Sequence, residues 1–229
     1  MGNDHPFIRL HCAHCGKLLT VQLSCGDRTC STCRAKWFGY HYNTVLDCVK
    51  GWPRAYFMTL TIQNYDGKMY RSDVTKLRKD FGRIRERFKN EVRGGFYVVQ
   101  ATNKSKGWHL HAHVLFDGSF IAEKALSRAW ANITSGNYIV DIRMVQDPKI
   151  AVKYLLKDFL QSPKIRPEDH AEYNGVFAGS RIIQPFGTYK NVKFRVPYPC
   201  PICGRIEWVK IEVLLGVEKA FHKFYNDST

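Results

Sequence analysis

Trp108-His109-Leu110-His111-Ala112-His113-Val114-Leu115-Phe116 is the stretch that decides how this chain is read. Successive side chains of an extended strand point to opposite faces. His109, His111 and His113 therefore share one face, while Trp108, Leu110, Ala112, Val114 and Phe116 share the other. The apolar face can enter a core. The opposite face offers imidazoles two residues apart, and two neutral ring nitrogens at that spacing can grip one divalent ion.

The flanking sequence supplies partners for such a strand. Residues 55–62 (AYFMTLTI), 96–102 (FYVVQAT) and 138–145 (YIVDIRMV) are rich in β-branched and aromatic residues and are expected to be strands. A helix is expected over 73–92, capped by Ser72 or Asp73. Val74, Leu77, Phe81, Ile84, Phe88 and Val92 recur along it at helical spacing, and Gly94-Gly95 would end it. Its other face carries Lys76, Arg78, Lys79, Arg83, Arg85, Arg87 and Lys89, and reads as a solvated face. Lys104 to Gly107 form a turn, and a second helix is expected near 122–132. A third, over 149–161, starts after Pro148, whose fixed φ suits a first helical position. The Pro-, Gly- and charge-rich residues 162–180 read as a loop, 181–214 as short strands, and a short helix closes the chain. The order β-α-β-β-α-β-α predicts an α+β fold, a central antiparallel sheet flanked by helices with a cysteine-rich module attached. Expected divisions are 1–50 as a zinc-binding module completed by 195–210, 51–190 as the domain of the histidine strand, and 191–229 as a hairpin and short helix.

The 229 residues carry a formal charge of +15, with a pI of about 9.5. A globular chain this basic usually meets polyanions, nucleic acid first. Arg83, Lys104, Lys106, Lys153 and Arg181 are candidate phosphate contacts. No run of eighteen or more apolar residues occurs and no secretory signal is visible, so no membrane role and a cytoplasmic location are expected.

Eight cysteines are present, six of them in three CxxC pairs: Cys12–Cys15, Cys30–Cys33 and Cys200–Cys203. Without a secretion signal, such pairs favour metal over disulfides. Cys12-Ala-His-Cys-Gly and Cys200-Pro-Ile-Cys-Gly read as zinc knuckles, in which glycine permits the turn that aims both thiolates at one ion. One or two structural zinc ions are expected. Cys12, Cys15, Cys200 and Cys203 can form one site, leaving Cys25, Cys30 and Cys33 with a histidine such as His11 or His14. Alternatively, Cys15, Cys25, Cys30 and Cys33 complete a site. Cys48 reads as an ordinary buried thiol.

Tyr154-Leu-Leu-Lys157 follows, with phenol and ammonium three residues apart on a helical pattern. A free phenol titrates at about 10, so it needs a metal or a cation beside it to act as a nucleophile near neutrality. Alone the pattern says little. Beside the histidine strand it gains meaning.

His109-Leu-His-Ala-His-Val114 resembles the HUH motif, two histidines around one apolar residue, and Tyr154-x-x-Lys157 resembles the nucleophile motif of the same superfamily. Phe57-Met-Thr-Leu-Thr61 is similar to its first motif. Cys25-Gly-Asp-Arg-Thr-Cys30-Ser-Thr-Cys33 resembles a cysteine signature found upstream in rolling-circle replication (Rep) proteins of small plasmids and mobile elements, and Arg181 to Gly187 resembles a downstream segment. The resemblance spans roughly residues 12 to 187. It implies sequence-specific nicking and rejoining of single-stranded DNA, or of an origin hairpin, through a 5′-phosphotyrosine on Tyr154. His111 and His113 would hold Mg2+ or Mn2+ with Gln100 as third ligand and His109 as its competitor, and Lys157 would stabilise charge or position the phenol. No GxxxxGK[ST] occurs, so a host helicase and polymerase are the expected partners. Some relatives carry a glutamate just before the tyrosine, whereas here Ile150, Ala151, Val152 and Lys153 precede it. A single-tyrosine transposase with the same chemistry, a hydrolase that activates water, and a non-catalytic zinc-ribbon nucleic-acid-binding protein are the alternatives.

Overall fold

The computed structural model describes residues 5–103, 107–161, 163–194, 200–205 and 207–214. In chain order the elements are β1 (Phe7–Cys12), β2 (Leu18–Gln22), α1 (Ser31–Lys50), β3 (Ala55–Thr61), α2 (Arg71–Arg87), β4 (Val92–Asn103), β5 (Trp108–Gly118), α3 (Glu123–Thr134), β6 (Val140–Met144), α4 (Pro148–Leu155), α5 (Lys157–Leu160), α6 (His170–Phe177), β7 (Gln184–Gly187) and β8 (Trp208–Leu214). The chain divides into two compact units, residues 1–33 with 195–229 and residues 34–194. No helix of the described residues is long and apolar enough to cross a membrane.

The smaller unit is built on a three-stranded antiparallel sheet in the order β2-β1-β8. Ile8, Leu10 and Cys12 alternate along β1 as its buried side.

The larger unit is an antiparallel five-stranded sheet in the order β6-β3-β5-β4-β7. The α+β class with an antiparallel sheet flanked by helices is thus the fold observed. Strand β5 lies at the centre, paired along its length with β3 and β4. Its Trp108, Leu110, Ala112, Val114 and Phe116 meet Val74, Leu77, Phe81 and Ile84 of α2, Leu126 and Trp130 of α3, and Tyr173 and Phe177 of α6. On the opposite face Phe57, Phe96, Val98 and Leu115 pack against Val45, Leu46 and Val49 of α1, Val152 and Leu155 of α4, Leu156 between the two helices, and Phe159 of α5. Truncating a fully buried ring such as Phe81 or Phe116 would cost about 3–5 kcal/mol. The helix-covered face opposite α2 is the one that carries the histidines.

Four expectations need correction. Gly94 and Gly95 do not end a helix at residue 92; α2 stops at Arg87, and both glycines lie inside β4. They are required there by close packing, since a Cβ on Gly94 would stand 2.8 Å from the Phe186 carbonyl oxygen and one on Gly95 only 2.2 Å from that of Leu115. Within 162–180, residues 170–177 form α6, because Tyr173, Val176 and Phe177 at helical spacing all reach the core. The helix expected over 149–161 is broken at Leu156 into α4 and α5. Residues 31–50, read only as part of a cysteine module, form the long helix α1. The closing helix and the turn residues Lys104 and Lys106 lie outside the described residues.

His41 of α1 is partly buried between Phe159 and Phe194, with ring centroids at 5.9 and 4.8 Å, and its Nδ1 is buried with no hydrogen-bond partner among the described residues. Burial pushes its pKa down to about 4. The unfolded imidazole titrates at about 6.5, so between these values the unfolded chain binds the extra proton and stability falls with falling pH. The urea midpoint is therefore expected to drop between pH 7 and 4.5, and His41→Leu should make the drop shallower. An identical pH dependence in both proteins would show that His41 is not buried neutral.

Candidate metal and nucleophile site

The site on the larger unit follows from β5's register. Thr61 and Gln100 flank His111 on the two neighbouring strands, Thr59 and Val98 flank His113, and Thr102 stands opposite His109. Directly paired residues point to the same side of a sheet, so the row is common to three strands. Thr59 Oγ1 lies 3.0 Å from His113 Nδ1, and Lys157 Nζ lies 3.0 Å from His113 Nε2. The ammonium can only donate, so Nε2 accepts and Nδ1 carries the hydrogen that Thr59 Oγ1 accepts. Gln100 Oε1 is 3.1 Å from His111 Nε2. The rings of His109, His111 and His113 follow one another at 5.1 and 4.7 Å.

Electrostatics keeps the row neutral. Burial, then His111 and Lys157, pushes His113 down to about 2. Burial, then Lys157 and His109, pushes His111 down to about 3. His109 is lowered by burial and by Lys157, and Lys157 is itself lowered by burial. Neutral imidazole is the form that binds a metal.

Tyr154 lies at the C-terminal end of α4, which is capped at its other end by Asp147 Oδ1 accepting from the Lys149 and Ile150 amides. Its ring stands edge-on to His113 at 5.2 Å and to Phe57 at 5.2 Å, and the residue is 48% exposed. Lys157 opens α5 and holds its Nζ 4.8 Å from the Tyr154 ring centre. The break at Leu156, itself fully buried, turns the chain so that Lys157 reaches the imidazoles while Tyr154 stays half exposed beside them.

Two neutral nitrogens and an amide oxygen suit a hard or borderline divalent ion. The 3.1 Å separation of His111 Nε2 and Gln100 Oε1 is close to the edge of about 3 Å in an octahedron with bonds of about 2.1 Å. His113 Nε2 accepts a hydrogen bond from the Lys157 ammonium, so it is the unprotonated nitrogen of that ring. His111 Nδ1 and Gln100 Nε2 are buried with no hydrogen-bond partner among the described residues, so protein groups there do not satisfy the row completely. His111, His113 and Gln100 are thus the residues that could hold Mg2+ or Mn2+. His109 stands further along the row, beside His111.

The chain is similar to a protein named "Protein rep" from Streptococcus pneumoniae serotype 2. The two are 25% identical over 202 residues, which cover 75% of this chain and 63% of that one, so this chain matches less than two thirds of the relative's length. The crystal structure of the hypothetical protein ORF119 from Sulfolobus islandicus rod-shaped virus 1 aligns with 54% of this chain and 97% of its own, at 21% identity and a TM-score of 0.32, too low a score to carry an argument. No protein-family model matches the chain.

The smaller unit holds two clusters that could each bind zinc. Cys12, Cys15, Cys200 and Cys203 form one, and His5, Cys25, Cys30 and Cys33 the other, each with ligand atoms within 4.8 Å of one another. Sulfur pairs Cys12–Cys203, Cys15–Cys200 and Cys25–Cys33 stand 3.5 Å apart, near the edge of about 3.8 Å expected for a tetrahedron with Zn–S bonds of about 2.3 Å. Gly16 and Gly204, both at φ 69°, return their amides to the carbonyls of Cys12 and Cys200, so the two knuckles repeat one turn. Burial of Cys200 is outweighed by the backbone amides of Cys203 and Ile202, which bring its thiol down to about 6. The set Cys15, Cys25, Cys30, Cys33 is not brought together, and the histidine beside the second cluster is His5, not His11 or His14. His5 Nε2 lies 3.3 Å from both Cys30 and Cys33, whereas His14 pairs with Glu207 at 3.2 Å. Nothing in the spacing of the cysteines pointed to His5, which precedes the first strand.

Of the candidate phosphate contacts, Lys153 is exposed on α4 next to Tyr154, and Arg181 is exposed before β7. Arg83 lies on α2, on the other side of the sheet, paired with buried Asp80 at 3.0 Å. Thr59, which contacts His113 Nδ1, joins the candidate site without having been singled out from the sequence, although the alternation of Phe57-Met-Thr-Leu-Thr61 placed it on the histidine face.

The protein purified without chelator is expected to carry two equivalents of zinc by plasma mass spectrometry, with Cys203→Ser and His5→Ala each removing one. A parent protein with no more than one equivalent would refute the two-cluster assignment.

Proposed function

We propose that residues 34–194 form a metal-dependent centre that nicks and rejoins single-stranded DNA, of the type that initiates rolling-circle replication. The observation that carries this reading is a half-exposed tyrosine whose ring rests on His113, one of two adjacent neutral imidazoles. The similarity to a protein named "Protein rep" supports it.

In this mechanism Tyr154 Oη attacks the scissile phosphorus and gives up its proton. The bond from phosphorus to the 3′ oxygen breaks, and the electron pair leaves on that oxygen, which takes up a proton as a free 3′ hydroxyl. The 5′ phosphate stays esterified to Tyr154, and attack by a 3′ hydroxyl reverses the step and rejoins a strand. His111, His113 and Gln100 would hold a Mg2+ or Mn2+, which would supply Lewis-acid polarisation of the phosphate oxygens. Thr59 fixes His113 with Nε2 as the acceptor, and the Phe57 and His113 rings position the phenol. Lys157 lies between imidazole and phenol, placed to share its charge with the reacting phosphate. The two zinc clusters are structural in this reading. The free 3′ end is a primer, so a host polymerase and a helicase are the partners proposed.

Incubation with Mn2+ and a library of single-stranded oligonucleotides should give a covalent adduct on denaturing gels, mapped to Tyr154 by mass spectrometry. Tyr154→Phe should lower cleavage by at least about a thousandfold and leave binding intact. Unchanged nicking by that variant would remove Tyr154 from the reaction. Products without an adduct would make water the attacking group. A parent protein inert throughout would favour a zinc-ribbon protein that binds nucleic acid without cleaving it.

A further inference from the structure

Strand β6 is an edge of the five-stranded sheet, paired with β3 and with no strand on its other side among the described residues. Its register brings Arg143 opposite Phe57 and Asp141 opposite Thr59. These two positions belong to the histidine face, since Thr59 touches His113 and the Phe57 ring touches both His113 and Tyr154. Asp141 and Arg143, two residues apart on one strand, point the same way. Asp141 Oδ1 accepts from Arg143 Nε at 2.9 Å. That bond engages one nitrogen of the guanidinium, and among the described residues Nη1 and Nη2 have no partner. The Arg143 side chain is 77% exposed. Arg143 is held above its ordinary pKa mainly by the Asp141 hydrogen bond and charge, with Tyr154 as a further contributor.

An exposed ion pair adds little to stability. The pair is better explained by what it presents: a guanidinium with Nε tethered and its two terminal nitrogens offered outward, the fork that takes a phosphate in two parallel hydrogen bonds. Lys157 Nζ lies 4.8 Å from the centre of the Tyr154 phenol. The Phe57 ring, on the strand position paired with Arg143, stands 5.2 Å from that phenol, so Arg143 brings a second cation to this part of the histidine face.

We propose that Arg143, oriented by Asp141, is a phosphate-binding subsite for single-stranded DNA, gripping a phosphodiester next to the one that Tyr154 attacks. Arg143 is then a substrate-binding residue and Asp141 a positioning residue. The proposal rests on the nicking reading for its substrate, but its test does not need cleavage to occur.

Binding of a fluorescein-labelled thymidine oligonucleotide is measured by anisotropy at several salt concentrations, with the full chain carrying Tyr154→Phe. Adding Arg143→Ala should weaken binding about tenfold and lower the log–log salt slope by about 0.7, the share of one single-strand phosphate. Arg143→Lys should keep the slope, because the charge remains. Lys79→Ala, on α2 and on the other side of the sheet, should change neither quantity. Unfolding midpoints equal to the parent's should accompany all three. With Tyr154 restored and a cleavable oligonucleotide, Arg143→Ala should raise KM and leave kcat nearly unchanged. An Arg143→Ala protein with the parent's affinity and slope overturns the subsite, as does a Lys79→Ala protein with the same losses as Arg143→Ala. If no oligonucleotide is ever cleaved but Arg143→Ala shows the lowered slope, the nicking reading fails and the phosphate contact stands.

Discussion

The larger unit depends on one constraint: imidazoles on the central strand of a sheet covered by helices on both faces must stay neutral. A charged group buried without a partner is expensive, and proteins normally respond by holding it in its neutral form. His111 and His113 obey this, pushed far below the ordinary range mainly by burial. Neutrality leaves each ring one donor and one acceptor, so neighbours must be chosen to match. Thr59 and Gln100 are supplied by the two adjoining strands in direct register, and Lys157 by a helix laid across them. The neutrality that makes the row tolerable inside the protein is also the form of imidazole that a metal would require under the function proposed.

The placement of Lys157 has a structural cause. Had α4 continued unbroken, Tyr154 and Lys157 would simply share a helical face. Instead α4 ends at Leu155, Leu156 leaves helical geometry, and α5 restarts at Lys157. Leu155 and Leu156 are both fully buried, so two consecutive residues anchor the turn to the core. That break is what allows the ammonium to reach His113 while the phenol keeps half its surface open. Lys157 is half-buried, which lowers its pKa, and its ammonium occupies the His113 Nε2 position that an ion would take under the function proposed.

How much of this could be read in the sequence varies with the range of the interaction. The alternation of residues 108–116 gave β5, its two faces and the histidine row, because period-2 patterning is local and strong. Thr59 was legible in the same way from Phe57 to Thr61. The glycines were not. Gly94-Gly95 after an apolar helical pattern looks locally like a helix terminator, and only the approach of Phe186 from β7 and of Leu115 from β5 shows why side chains are absent there. Helix α6 was hidden by the prolines and charges before it, although Tyr173, Val176 and Phe177 carry the periodicity. The knuckle glycines announced the Cys12–Cys203 cluster, but His5 reached the other cluster through tertiary folding that no spacing encodes. Asp141 and Arg143 were visible as strand residues, and only the register of β6 against β3 connects them to Tyr154.

Charge illustrates the same distinction between composition and placement. The most conspicuous basic segment is α2 with the residues just after it, yet several of its cations are engaged: Lys76 and Arg83 share buried Asp80 at 2.8 and 3.0 Å, Arg85 lies 4.7 Å over the Phe186 ring, and Lys89, past the helix end, pairs with Glu86 at 3.7 Å. These residues sit on the side of the sheet away from the histidines. Lys157 and Arg143 are far less conspicuous in the sequence, isolated among apolar or mixed neighbours. Lys157 nevertheless reaches the half-exposed phenol beside the imidazole row, and Arg143 is paired in register with Phe57, whose ring touches that phenol. A net charge of +15 draws a polyanion to the surface in general. Where a phosphate would stop under the function proposed depends on the few cations on the histidine face of the sheet, and Lys157 on α5 and Arg143 on the open edge of β6 are placed there.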